Sequence, residues 1–351
     1  NHLHPELKIA MIERGNPIRK RVCPIIAGKT KSCVGCASCC IMNGFGGAGA
    51  FSDGKFNFTT EFGGWLHDYL SPDEVMMLIE YVDSVNIRFG ATTERFSTYS
   101  PEAAELEKQA LHHDLHLLKA AVKHLGTEKN LKILSNMAED LSGKADIFCN
   151  MEVEEILPRE DGLYELAASG TERFLCTYLI VAPGRSGAEW FSSECKRMGI
   201  NLINNQVDIG VRVELPAAVF EHITDVVYEA KLVYRTKQYG DSVRTFCMNP
   251  YGHVVTENVD GIITVNGHSY SDASLRSENT NFALLVSNRF TQPFNEPYQY
   301  GKRIASLSNM LGGGVLVQRF GDLIKGVRTN EHRMSKSFTK PTLSATPGDL
   351  S

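Results

Sequence analysis

The chain opens on a short apolar run, residues 7–12, that meets Glu13-Arg14-Gly15 at once. Unbroken apolar character over so few residues predicts a parallel strand buried on both faces, here ending in a carboxylate. Residues 23–64 are rich in Gly, Cys, Ser and Asn and read as a long loop. Ser71-Pro72-Asp73-Glu74 then offers an N-cap serine, a first-turn proline and two acids at the positive end of a helix. Val75, Leu78, Ile79, Val82 and Val85 keep helical spacing to about residue 89. A second helix is expected to open at Ser100-Pro101-Glu102. A third should open at Thr127-Glu128 and run through Leu131, Leu134 and Met137 to Leu141. Residues 147–149, 153–157, 163–167 and 174–181 read as strands, with Glu160-Asp161-Gly162 and Ser169-Gly170 as turns. The last of them is almost wholly apolar and runs into Ala182-Pro183-Gly184-Arg185-Ser186-Gly187, which predicts a buried strand feeding a glycine turn. Residues 186–199 read as a helix. Beyond residue 207 the pattern is mainly β, over 209–213, 226–234, 243–248, 261–265 and 282–286, with one helix at 298–311. Residues 335–351 are polar and carry no core pattern.

At 351 residues the chain is longer than one hydrophobic core usually supports, so two domains are expected. The pattern places a discontinuous α/β domain at 1–189, built from 1–65 and 117–187 with a helical insertion at 66–116. A mainly β domain at 190–335 and a tail at 336–351 follow. Apolar residues make up 42% and charged residues 22%, as in ordinary globular proteins. A net charge of -5 points to neither nucleic acid nor an anionic membrane as partner. No run of about 18 apolar residues predicts a membrane-spanning helix. Nine cysteines, five of them between Cys23 and Cys40, do not make a secreted disulfide framework, so reduced thiols and a cytoplasmic setting are expected.

Three features carry candidate chemistry. An acid at the end of the second strand of a dinucleotide-binding unit accepts hydrogen bonds from ribose hydroxyls, and Glu13 has that position; an ordinary strand-end acid is the alternative. A literal G-x-G-x-x-G occurs as Gly44-Phe45-Gly46-Gly47-Ala48-Gly49, but no strand precedes it and no helix follows, so it is not the Rossmann fingerprint. Its bare backbone N–H groups, with Ser52 and Lys55 close by, suit a pyrophosphate or a flavin edge; a flexible glycine-rich loop is the alternative. Cys33-Val34-Gly35-Cys36-Ala37-Ser38-Cys39-Cys40 has C-x2-C-x2-C spacing, and Cys23 or Cys40 could add a fourth thiolate. An iron–sulfur cluster, a structural zinc, free thiols and a redox disulfide all stay open for Cys23, Cys33, Cys36 and Cys39. His112-His113-Asp114-Leu115-His116 would fan around a helix and reads as a solvated face.

The stretch Gly46-Gly47-Ala48-Gly49-Ala50-Phe51-Ser52-Asp53-Gly54-Lys55-Phe56-Asn57 resembles the signature of a family of uncharacterised FAD-dependent dehydrogenases with a glutathione-reductase-like FAD domain. Further blocks fit the family in order: Ile12-Glu13-Arg14-Gly15, Tyr178 to Gly184, Asp208 to Glu214, Thr245 to Val255, and Val265 to Ser271. The resemblance implies a Rossmann-like FAD domain followed by a mainly β substrate domain. It places Glu13, with Arg14 beside it, at the adenosine ribose. Gly46, Gly47, Gly49, Ser52, Asp53, Gly54 and Lys55 would lie along flavin and pyrophosphate, and Val153 would meet the adenine through its backbone. Ala182 and Gly184 would close the FAD site, although Pro183 stands where the family pattern has threonine. His253 and His268 fall in the substrate-domain blocks, where either could line the open flavin face as a catalytic acid or base; a structural or surface role is the alternative.

The resemblance also implies a phosphate-binding glycine turn before residue 1 and a flavin-covering segment after residue 351. The chain, which does not begin with Met, therefore reads as cut short at both ends. The expected function is a two-electron reaction of FAD with a small molecule, with NAD(P)H as a possible transient donor. An iron–sulfur relay to a redox protein partner is one alternative. A flavin-dependent binding partner without turnover is another.

Overall fold

The computed structural model describes residues 4–350 apart from 31, 32, 260, 292 and 295. It is a mixed α/β protein with several small sheets, and its chain divides into two compact units. The first contains residues 1–51, 131–203 and 258–261; the second contains 52–130, 204–257 and 262–351.

In the first unit, Ala10–Glu13 pairs in parallel with Asp146–Cys149, and Glu13 stands opposite Cys149. Parallel neighbours need a long crossover, which is why strands more than 130 positions apart in sequence meet here. An antiparallel meander of Val153–Pro158, Tyr164–Ala168 and Arg173–Cys176 follows, joined by the expected turns. The Ala188–Arg197 helix docks on it: Glu194 accepts the Ile156 N–H at 2.8 Å, and the Trp190 indole donates to the Glu154 carbonyl at 2.9 Å.

The apolar stretch 178–181 departs from expectation. The strand before it ends at Cys176, and Tyr178 and Ile180 are about nine-tenths exposed. A strand apolar on both faces needs neighbours on both edges and cover on both sides. No strand among the described residues pairs with this segment.

In the second unit, five antiparallel strands run in the order Val207–Pro216, Asn279–Asn288, Ser242–Asn249, Leu232–Arg235, Leu115–Leu117. The first pair is in register from Val207 opposite Asn288 to Pro216 opposite Asn279. Gly210 is required there, because any Cβ would run into the Leu284 carbonyl. Under this sheet lie Ala103, Leu117, Val227, Ala230, Met248 and Phe282, with Phe220 stacked on Phe282 at 5.2 Å. A smaller antiparallel sheet joins Lys55–Phe58, Ala121–His124 and Phe96–Ser97. The helices Pro72–Arg88 and Pro101–Leu111 start where their caps predict; Ser71 and Glu74 close a full capping box, and Ser100 accepts the Ala103 N–H. The helix Pro297–Gly312 ends at Gly313 in the left-handed region, φ +61°.

Three expectations for this unit change. Strand character over 226–234 shrinks to Leu232–Arg235, because residues 225–229 turn and send polar side chains inward. A helix, Ala217–Thr224, interrupts the β region directly after Pro216. The polar tail is pinned without a core pattern: Glu214 accepts from the Thr342 N–H and hydroxyl, and Thr346–Pro347 pairs with Leu316–Val317.

Candidate functional site

The first unit builds its polar centre from Glu13. One carboxylate oxygen, Oε1, accepts the N–H groups of Gly15 at 2.8 Å and Gly44 at 3.0 Å. This requires the two glycine backbones to touch: a Cβ on Gly15 would lie 2.5 Å from the Gly44 nitrogen. Glu13 Oε2 takes no hydrogen bond among the described residues. Arg21 organises the loop that follows. Its guanidinium donates to the carbonyls of Cys40, Ile41, Phe45 and Gly47 at 2.8–2.9 Å. Burial works against that charge and lowers its pKa, while Glu13 opposes the shift. Gathering carbonyls onto one cation turns the intervening peptide groups the other way. Gly46 and Gly47 sit at φ +87° and +60°, and nothing approaches within 4 Å of where a Cβ on Gly47 or Gly49 would be.

The remaining first-unit candidates stand apart from this centre. Arg14 reaches Glu152 at 3.5 Å on the surface. Val153 begins the meander, half-buried, opposite Ala168. Ala182 and Gly184 are exposed, with Gly184 at φ +65°.

The cysteine loop does not gather. Among the described residues, no three His, Cys, Asp or Glu side chains stand as a metal site would place them. Cys33 and Cys36 are exposed; Cys33 takes a weak contact from Asn258 at 3.5 Å and Cys40 one from Asn16 at 3.8 Å. Desolvation, then the charges of Cys40, Cys33, Cys39 and Cys23, push the Cys36 thiol up. Among the described residues, the expected ligand set Cys23, Cys33, Cys36 and Cys39 for an iron–sulfur cluster or zinc gains no support from this arrangement.

The second unit holds a buried charged cluster around Lys55. Ser52 Oγ caps a turn by accepting the Gly54 N–H at 3.3 Å; Gly54, at φ +65°, packs against Leu125 and Asn130. This delivers Lys55 to the first strand of the small sheet, where it stands opposite His124. Its ammonium lies 3.1 Å from Asp53 Oδ2 and 3.6 Å from Glu229 Oε2, all three side chains being less than a tenth exposed. It also donates to Asn249 Oδ1 at 3.0 Å and to the Met248 carbonyl. Among the described residues, neither of those two carboxylate oxygens accepts a hydrogen bond, so the ammonium carries their compensation. Burial disfavours the charge, but Asp53, Cys247 and Glu229 outweigh it and lift the lysine pKa above its usual value.

His124 lies beside this cluster, stacked on Tyr228 at 4.5 Å. Its Nε2 is 3.1 Å from both Tyr228 Oη and Ser269 Oγ, and 4.0 Å from Asp53 Oδ2. Serine and aspartate face the same ring nitrogen, so this is not a Ser-His-Asp relay, which needs them on opposite nitrogens. Burial, with Lys55 adding to it, brings the imidazole pKa down to about 3, and burial pushes the Tyr228 phenol up. Lys231 is buried between Phe62 and Phe246, 4.0 and 4.8 Å from their centroids, and desolvation lowers it to about 8.

The His124 value fixes a pH dependence. The folded pKa of about 3 lies below the unfolded value of roughly 6.5. Folding therefore holds the neutral ring; this contribution is complete above pH ~6.5 and is lost as pH falls toward 3. Urea midpoints for His124→Gln should fall less steeply than wild type between pH ~6.5 and ~4. Parallel curves would contradict the assignment.

His253 and His268 come together around one ring. His253 Nε2 contacts the Leu275 carbonyl at 2.9 Å, and both imidazoles meet Tyr270 edge-on at 5.9 and 5.2 Å. His112, His113 and Asp114 are exposed, but they lie in a turn beyond the helix end at Leu111 and not on a helix, and Leu115 and His116 belong to the strand that follows.

Sequence reasoning did not single out Arg212, His124, Tyr228, Glu229 or Asn281. One signal was available: Glu229 and Lys231 interrupt an otherwise apolar run two positions apart, which a strand facing the core would not tolerate without partners.

No family model matches the chain. An uncharacterised protein of Clostridium beijerinckii (strain ATCC 51743 / NCIMB 8052) is 27% identical over 316 residues, covering 85% of this chain and 52% of that protein. The chain thus spans about half the length of the curated relative it matches. Among solved structures, glycine oxidase from Geobacillus kaustophilus is 13% identical with a TM-score of 0.34, covering 92% of this chain and 89% of that one. L-amino acid deaminase from Proteus vulgaris is 9% identical, also at 0.34, covering 69% and 62%. CtdE in complex with FAD is 11% identical at 0.23, covering 58% and 51%. At these scores the likenesses are too loose to assign a ligand or a reaction.

Proposed function

We propose that this chain belongs to an FAD-dependent oxidoreductase that exchanges a hydride between the flavin and a small molecule. The observation that supports it best is Glu13: a carboxylate at the end of a parallel strand, one oxygen fixed by two glycine N–H groups, the other taking no hydrogen bond among the described residues. That donor set suits a ribose, whose hydroxyls need a fixed acceptor. The open glycine backbone at Gly47 and Gly49 suits a large planar or phosphate-bearing group, which any side chain there would obstruct. When bound, FAD supplies the hydride chemistry itself. The chain's own part is to hold the adenosine end at Glu13.

The test is an absorption spectrum of the full-length protein, followed by FAD titration of wild type and Glu13→Ala. Bound-flavin bands that survive desalting are expected. Losing a hydrogen bond to a charged group costs ~1.5–3 kcal/mol, so Glu13→Ala should weaken FAD binding roughly ten- to a hundred-fold. A folded full-length protein that takes up no FAD overturns the reading.

A further inference from the structure

We infer that Lys231 is a site of reversible carbamate formation with carbon dioxide, its amine kept as a free nucleophile by the two phenylalanine rings that enclose it. Lys231 is 1% exposed and stands just before the Leu232–Arg235 strand. The register that sets Val233 opposite Arg244 continues so that Lys231 faces Phe246 on the same side of the sheet, and the Lys231 carbonyl accepts the Leu118 N–H at 2.9 Å. The amine lies 4.8 Å from the centre of the Phe246 ring and 4.0 Å from that of Phe62.

Buried lysines are paired as a rule, and the others in this unit are: Lys55 with Asp53 and Glu229, Lys123 with Asp83. Among the described residues, the Lys231 amine makes no hydrogen bond and no ion pair. The carboxylate two positions back, Glu229, is turned to Lys55 instead. Ring faces attract an ammonium but cannot accept its N–H groups as oxygens do. Holding the charge in such a place is costly, and giving up the proton removes that cost. Desolvation, with Arg244 and Lys55 adding to it against Glu229 and Cys247, brings the amine down to about 8. A desolvated lysine beside other cations is the form in which this side chain is nucleophilic near neutrality.

The surroundings select the electrophile. Phe246 is 38% exposed, and an exposed ring changes rotamer quickly, so it admits a small apolar molecule while Phe62 stays buried. An aldehyde or ketone would need an acid to expel water from its adduct, and among the described residues no acid is hydrogen-bonded to this amine. Carbon dioxide needs none. The amine lone pair attacks the carbon, one C=O pair moves onto oxygen, and the nitrogen loses a proton to water. One amine and one carbon dioxide give a carbamate and a proton; nothing is oxidised or reduced, and loss of carbon dioxide restores the lysine. The product exchanges a cation for an anion beside a ring that Arg244 also overlies, 5.3 Å from its centroid. The flavin reading plays no part in this step, so either can fail without the other.

The full chain, free of flavin, is equilibrated with isotope-labelled bicarbonate at pH ~8, trapped with triethyloxonium, which alkylates carbamates, and mapped by peptide mass. There an amine of pKa about 8 is half neutral, whereas an ordinary lysine is under ~1% neutral. Lys231 is therefore expected to carry the label at about ten-fold the occupancy of any other lysine, despite its burial. Phe246→Ser, at an exposed position, lets water reach the amine, restores its ordinary basicity and should lower the labelling of Lys231 about ten-fold. Should that variant fail to fold, the comparison among wild-type lysines decides alone. Lys231 left bare while surface lysines take the label, or labelling unchanged in a folded Phe246→Ser, overturns the inference.

Discussion

Lys55→Met is expected to destabilise the second unit by roughly 3–5 kcal/mol, because it strands two buried carboxylates. Asp53 and Glu229 are 5% and 4% exposed, and their inward oxygens face the ammonium without accepting any hydrogen bond. Methionine fills the space but brings no charge. The loss should depend on pH in a definite direction. Without the ammonium, the folded carboxylates hold protons more tightly than in the unfolded chain, so the deficit is largest near neutrality and narrows as pH falls. Adding Asp53→Asn and Glu229→Gln to the variant should recover part of the loss, since neutral amides need no counter-charge. The chain's two tryptophans, Trp65 and Trp190, lie in different units, which makes the measurement clean. In a Trp190→Phe background, Trp65 fluorescence in urea reports the second unit. An unfolding free energy within ~1 kcal/mol of wild type would sink the argument.

Asp83→Ala is expected to have a comparable effect, again roughly 3–5 kcal/mol, for the reverse reason: it strands a buried cation. Lys123 is wholly buried on the Ala121–His124 strand, and its ammonium meets both Asp83 oxygens at 2.6 and 2.8 Å. Asp83 lies on the Pro72–Arg88 helix, so this ion pair fastens that helix to the small sheet. Arg95 adds a third contact at 2.8 Å while resting 3.5 Å above the Phe58 ring. Glu80 is the internal comparison. It pairs with the same Arg95 at 2.6 Å but is about half exposed, so Glu80→Ala should cost under ~1 kcal/mol. Replacing Asp83 and Lys123 together with Leu and Met should be far less harmful than Asp83→Ala alone, because no unpaired charge is left behind. The same fluorescence assay ranks all three. Equal losses for Asp83→Ala and Glu80→Ala would show that burial does not govern this network.

The two networks differ in how far they could have been read beforehand. Asp53, Gly54 and Lys55 stand in the stretch whose resemblance pointed to a flavin loop, so Lys55 was a candidate from the outset. Its partners Glu229, His124 and Asn249 come from segments 70 to nearly 200 positions away, and nothing local marks them as its neighbours. Asp83 falls on the helix expected from residue 72, while Lys123 lies in a stretch for which no element was expected. Only the pairing of the small sheet brings Lys123 beneath the helix.

The sequence by itself determined the elements whose causes are local. Ser71 with Glu74 and Ser100 with Pro101 set helix starts because a side chain two or three positions away satisfies an otherwise unpaired N–H. Glu160-Asp161-Gly162 and Ser169-Gly170 set the meander turns in the same local way. Tertiary structure decided what depends on partners. Residues 178–181 have the composition of a central strand, yet a strand is a pairing, and no described strand takes them up. Residues 226–231 are apolar enough for a strand, yet they turn so that Tyr228 and Glu229 reach the cluster around Lys55. The cysteine spacing allowed a metal, but spacing fixes only which thiolates can reach an ion, and the backbone between them decides whether they do.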